Sequence, residues 1–184
     1  FGLGQNAQRL LLIPHLQARG VSRELASITV AIGGIAIGTP AHLLVGWTAD
    51  RVDVKRMFPL VFLVAALGLF VLANAGHVWH VLIFVLLYEV AFAANLIFQA
   101  KLIVQFFGTK RYASIRGLMH FVGNLVAIAG PVIGGAMFDI TGSYQLFFII
   151  ISGVVLLGIP FIMLAKPVSW EEQGPAHQSD PMPH

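Results

Sequence analysis

Long apolar stretches broken by short polar ones organise this chain. Residues 25–47, 58–75, 78–99, 118–138 and 146–165 are each apolar over about the 20 residues that a helix needs to cross a bilayer. Within each stretch the apolar positions run all round the helix, with no single stripe, which predicts helices that face lipid and one another. Residues 1–16 are too short and too polar to span alone and predict the outer end of a sixth helix, truncated at its start. Segments 17–24, 48–57, 76–77, 108–117 and 139–145 are polar and predict turns. After Lys166 the chain is rich in Pro, Glu, Gln and His, which predicts a disordered tail over 167–184. The expected fold is all-α: a polytopic membrane helical bundle of five full transmembrane helices and part of a sixth, over residues 1–166.

Composition narrows the class. Charged residues make up 10% of the chain, against about 25% in a soluble domain, so most side chains face something other than water. The net charge of +3 sits on a few cations between apolar runs. That pattern suits a bilayer with anionic lipid and argues against nucleic acid. With no cysteine, the chain has no disulfide and no thiolate metal site. It opens on Phe1 without the basic start and cleavage site of a signal peptide, as a chain that begins inside a helix would. Arg51, Lys55, Arg56, Lys110, Arg111, Arg116 and Lys166 alternate onto one face of the bundle, and only Arg19 and Arg23 lie on the other. Cytoplasmic loops retain Lys and Arg, so the C-terminus is expected in the cytoplasm.

Small residues recur four apart, at Gly34 and Gly38 and again at Gly130 and Gly134. This spacing lets helix backbones approach closely in lipid. Gly130-Pro131 adds a lost backbone hydrogen bond, and is either a fixed kink or a moving hinge. The segment from Gly46 to Arg56 is a short charged turn between two spans. Asp50 there is placed to meet the positive N-terminus of a neighbouring helix, and Gly46 to let that neighbour come close.

This turn resembles the signature of the major facilitator superfamily, Gly-x-x-x-Asp-Arg/Lys-x-Gly-Arg-Arg/Lys. Gly46, Asp50 and Arg51 match it. Lys55-Arg56 match the basic pair one residue late, and Val52, Asp53 and Val54 replace the signature glycine, as in the degraded second copy between the eighth and ninth helices. Further on, Phe107-Gly108, Arg111 and Gly117 resemble the approach to the eleventh helix, and the run from Gly130-Pro131 to Tyr144 resembles its end. That run is most similar to monocarboxylate and oxalate/formate-type members. Ile13-Pro14-His15-Leu16 and Gly20-Val21-Ser22 resemble the exit of the seventh helix. The resemblance implies the C-terminal half of a transporter, about helices 7–12, with solute bound between it and an N-terminal six-helix half. It implies secondary active transport by alternating access, as symport or antiport, of a small solute such as a monocarboxylate or another organic anion.

Polar groups inside spans are costly and usually face a cavity or a partner. Glu89 lies near mid-depth of its span, and Val85 and Ala93 one turn to either side offer it no cation. Burial favours the neutral form of such an acid. It is either a proton-coupling group or a structural carboxyl. His120 and Asn124 share a helix face one turn apart, and with Asn95, Gln99 and His42 they are either solute contacts or helix-packing hydrogen bonds. Lys101 is placed to snorkel at the cytoplasmic end. Helices seven, eight, ten and eleven line the cavity in the family, which points to Glu89, His42, Asn95, His120 and Asn124 for the substrate or proton pathway. Gly46, Asp50, Arg51, Lys55 and Arg56 form the candidate conformational switch. No Lys or Arg falls between Arg116 and Lys166 to pair an anion in the eleventh helix. No cofactor, metal site, nucleotide loop or catalytic constellation is expected. The rival reading is a self-contained helical scaffold or channel subunit.

Overall fold

The computed structural model describes residues 2–164; the tail expected to be disordered lies outside them. Among the described residues, seven α-helices and one π turn make up the bundle: α1 (Gly2–Ala18), α2 (Arg23–Gly33), a π turn (Gly34–Gly38), α3 (Thr39–Ala49), α4 (Val54–Ala73), α5 (Val78–Phe107), α6 (Tyr112–Thr141) and α7 (Gln145–Leu164). The π turn joins α2 to α3 in one span, Arg23–Ala49. That span and α4 to α7 are, among the described residues, the five helices long and apolar enough to cross a membrane, as the hydrophobic pattern predicts. No strand occurs among the described residues.

Helix ends fall where the chain supplies caps. The Ser22 hydroxyl accepts from the Leu25 amide, and the Asp53 carboxylate from the Lys55 amide, each satisfying a first-turn donor. Gly108 and Gly142 end α5 and α6 at φ of 73° and 68°, which a residue with a Cβ rarely adopts. Two helices are longer than hydropathy predicts. α5 runs on to Phe107 and α6 begins at Tyr112, so Arg116 and Gly117 are helical and only residues 108–111 turn. Asp139 is helical too, because α6 continues to Thr141. Apolar runs report the hydrocarbon depth. In the first turn of α6, Arg116 donates to the Tyr112 hydroxyl at 2.9 Å, a pair one turn apart that supports the helix beyond the apolar run.

α4 is the centre of the bundle. It packs against α5 on one side and α7 on the other, while α1 lies chiefly on α6. Phe84, Leu69, Leu72, Phe147 and Phe148 are fully buried among these helices. Ser152 of α7, buried, donates to the Ala66 carbonyl at 2.8 Å. Such bonds between helices in lipid contribute about 0.6–2 kcal/mol each. Elsewhere the bundle leaves wide apolar faces open, with Ile32, Ile35, Leu43 and Trp47 on one span and Leu118, Phe121, Leu125 and Ile128 on α6 all exposed. In a bilayer, lipid or further helices cover such faces.

Candidate functional site

The candidate residues converge on a seam where the α2–π–α3 span lies along α5. The two spans run in the same direction, and their contacts advance together. A Cβ built on Gly33 would stand 2.7 Å from Val85 Cγ1. Glu89 comes next, its Oε1 3.9 Å from where a Cβ of Gly34 would be and its Oε2 3.0 Å from that of Gly38. Then the rings of His42 and Phe92 meet edge to face at 6.2 Å. Ile97 Cδ1 follows, 4.0 Å from the Cβ position of Gly46. Lys101 closes the seam, donating to the Ala49 carbonyl at 2.8 Å and to Asp50 Oδ1 at 2.5 Å. Gly33 and Gly38 are therefore where α5 comes closest, whereas a Cβ on Gly34 or Gly46 would make only ordinary van der Waals contact with it.

The π turn sits opposite Glu89. Its cause is Pro40, two residues past its end. Proline has no N–H and its ring crowds the carbonyl one turn back, and a wider turn relieves that conflict. His42 Nδ1 donates to the Gly38 carbonyl at 2.7 Å, so a side chain satisfies backbone in this irregular stretch. Glu89 and His42 thus approach the same glycine from two helices. Glu89 is half-buried and is not without an interaction partner.

Other expected residues do not join this cluster. Asn95 lies six residues beyond Glu89, about 120° away around α5, and is half-buried with Gln99. His120 and Asn124 are exposed on α6, two polar groups on its apolar face. The helix passes Gly130 and Pro131 without a change of type, and the interruption in helix type falls at Gly34–Gly38 instead. Gly134 is a packing position, since a Cβ there would meet Leu11 Cδ1 at less than 2.5 Å and Phe147 Cζ at 3.4 Å.

The loop differs from expectation in one partner. Asp50 meets the cation of Lys101 and not a helix N-terminus, and Lys101 is tied to the end of α3. Reaching across to the last carbonyls of α3 suits a cation, because the C-terminus of a helix is its negative end. The Arg51 guanidinium stacks 3.6 Å over the ring of Trp47. Arg56 pairs with Asp53 at 3.2 Å on the open surface, where an ion pair contributes at most about 1 kcal/mol. The Lys55 amine is 6.0 Å from the Phe106 ring, the limit of a cation–π contact.

A second cap, invisible in the sequence, holds the opposite end. His15 of α1, 1% exposed, donates through Nε2 to the Leu72 carbonyl at 2.8 Å. Arg19, one turn on, donates to the Ala73 carbonyl at 2.9 Å. Gln145 of α7 reaches Asn74 at 3.1 Å. The end of α4 is thus tied to α1 and α7. No group of three His, Cys, Asp or Glu among the described residues is placed to hold a metal ion.

Five spans, a glycine-grooved seam and polar groups at membrane depth define a multi-pass helical membrane protein. The Major Facilitator Superfamily model matches residues 1–183, and the chain belongs to that family. Its function is therefore membrane transport. A search of curated proteins finds no match to the chain.

Proposed function

We propose that the chain is the C-terminal half of a secondary transporter that moves a small solute by alternating access, with Glu89 as its proton-coupling acid. An N-terminal six-helix half completes it across the solute cavity. The protein sits in the cell membrane with residues 50–53 and 108–111 and the C-terminus on the cytoplasmic side. The observation that carries this reading is the placement of Glu89. Its carboxylate lies in mid-span against a π turn, and π turns recur at functional sites. Irregular backbone at this depth is tolerated where protein buries it or where it lines a water-filled cavity. Alternating access opens the seam to water on one side and then on the other, so the carboxyl exchanges protons with each side in turn. A proton taken up on one side is then released on the other. His42, bonded to the same turn, reports that movement to α3, while Asn95, His120 and Asn124 offer hydrogen bonds to solute from α5 and α6.

The test uses the full-length transporter in proteoliposomes. Glu89→Gln keeps the shape and removes the titration. It is expected to abolish solute uptake driven by a pH gradient while exchange at equal pH survives. Uptake that keeps its full dependence on the gradient removes Glu89 from coupling. Loss of both activities in folded protein makes it a solute ligand, and loss of folded protein makes it structural.

A further inference from the structure

α6 lies chiefly on α1 and meets α5 only lightly. Where the end of α5 faces the start of α6, a cavity of about 550 Å³ opens, lined by Ala100, Lys101, Val104, Gln105, Thr109 and Tyr112. Its wall is mostly apolar. The depth of the cavity follows from α5. The apolar run of that helix ends near residue 99, and the helix goes on to Phe107. Its 30 residues reach about 45 Å at 1.5 Å each, against about 30 Å of hydrocarbon. A cavity that starts at Ala100 therefore lies at the boundary between acyl chains and headgroups.

Charge around the cavity is of one sign. Residues 101–116 hold Lys101, Lys110, Arg111 and Arg116 and no acid. Lys110 and Arg111 are exposed in the turn between Thr109 and Tyr112, both of which line the cavity. Arg116, one turn past Tyr112, donates to its hydroxyl at 2.9 Å. Asp50 offsets one of these cations, through its pair with Lys101. The neighbouring turn brings Lys55, 6.0 Å from the Phe106 ring, while its Asp53 and Arg56 offset each other.

We propose that this cavity is a discrete site for one anionic diacyl phospholipid of the cytoplasmic leaflet. An acyl chain lies against Ala100 and Val104, and the phosphate sits among Lys101, Tyr112 and the cations of 110–116. Lys101 has three N–H donors, of which the Ala49 carbonyl and Asp50 take two. Tyr112 accepts from Arg116, which leaves its own proton to donate. Phosphate oxygens accept strongly from such donors, and the clamp on Asp50 stays closed. Basic pockets between spanning helices suit anionic headgroups on this side of the membrane. A soluble anion would use the cations and leave the apolar wall wet. A zwitterionic lipid would bring its own cation to a cationic site. The occupant fills the gap between α5 and α6 and ties the 108–111 turn to one leaflet. The inference rests on the proposed orientation only in naming that leaflet.

Native mass spectrometry of the purified full-length protein, titrated with dioleoyl phosphatidylglycerol in neutral detergent, counts bound lipids and gives the Kd of the first. One phosphatidylglycerol is expected to bind at least about tenfold more tightly than dioleoyl phosphatidylcholine, the scale of one charge-assisted hydrogen bond. Glycerol phosphate, which lacks the chains, should bind at least about tenfold more weakly than the lipid. Arg116→Gln, Lys101→Gln and the double substitution Lys110→Gln/Arg111→Gln should each weaken the first phosphatidylglycerol several-fold. Tyr112→Phe, which keeps the ring, should weaken it too. Arg23→Gln removes the same charge from the opposite face of the bundle and should leave it unchanged, because a general pull of the bilayer on cations does not distinguish Arg23 from Arg116. Should Lys101→Gln fail to fold, Arg116→Gln and Tyr112→Phe read the same site. Equal binding of phosphatidylcholine or of glycerol phosphate overturns the proposal. So does a loss on Arg23→Gln as large as that on Arg116→Gln, or binding that neither Arg116→Gln nor Tyr112→Phe weakens. Absence of saturable phosphatidylglycerol binding, as when the N-terminal half covers the cavity, overturns it as well. The expected pattern in a protein that transports nothing keeps this site and refutes the transport reading.

Discussion

The register of the seam is most directly tested at Gly33 and Gly34, neighbours that differ in what they face. A Cβ on Gly33 would lie 2.7 Å from Val85 Cγ1, whereas one on Gly34 would meet only Glu89 Oε1 at 3.9 Å. Carbon atoms pack at about 3.5–4.0 Å, so Gly33→Ala demands roughly 1 Å of movement. Val85 is buried and β-branched, with a stiff χ1, so the helices must part. Overpacking of this kind costs about 1–3 kcal/mol. Both substitutions gain the same helix propensity, up to about 1 kcal/mol. Gly34→Ala should therefore be neutral or mildly stabilising, and Gly33→Ala about 1–2 kcal/mol less stable than it. Reversible unfolding of the purified protein in mixed micelles, titrated with denaturing detergent, measures the difference. Val85→Ala removes the opposing methyls, and in a double-mutant cycle with Gly33→Ala it should recover at least about 1 kcal/mol as coupling. Equal stability of the two single variants within about 0.5 kcal/mol, or no coupling in the cycle, refutes the packing of α2 on α5 in this register.

Three other expectations follow from the same contacts. A reporter fused after Lys166 should read cytoplasmic and one inserted at Gly76-His77 external, because the cation bias alternates with the spans; the same side for both refutes the helix count. Asp50→Asn should leave insertion unchanged and shift the inward–outward equilibrium of the full-length protein by no more than about fivefold, because its partner pair is exposed and contributes at most about 1 kcal/mol. Cysteine crosslinking across the cation-rich ends reads that shift, and an unchanged yield reduces the loop to a topology signal. His15→Phe keeps a ring against Phe148, now 5.0 Å from the imidazole, and loses the bond to Leu72. The Leu72 carbonyl still accepts from Ala75, so the cost should be about 0.5–1.5 kcal/mol, and a cost near zero in the detergent titration refutes the cap.

Span number, span order and fold class were legible in the sequence because the hydrophobic effect acts on local composition. Some 20 apolar residues in a row have one stable state in a bilayer, a helix with its backbone bonds closed on itself. Gly38 was legible as a place of close approach for the same reason: a missing Cβ is local information. The π turn was partly legible. Pro40 in an apolar run, with Gly33, Gly34 and Gly38 before it, announces an irregular helix. The same kind of signal at Gly130-Pro131 falls inside α6, which is α-helical on both sides of it.

Partners were a different matter. Lys101 and Asp50 are 51 residues apart and His15 and Leu72 are 57 apart, and no periodicity links such pairs. Two of the ties between helices, at Ala49 and Leu72, end on backbone carbonyls that every residue type carries, so no side-chain pattern could mark them. The sequence alone also could not say which face of α5 meets α3. In lipid all faces of a span are apolar, so the hydrophobic contrast that orients helices in water is lost. Steric fit decides instead: glycine against Val85 and Glu89 on one side of the seam, a lysine reaching the end of the neighbouring helix on the other. Those choices depend on shape and distance between helices, and only the tertiary structure contains them.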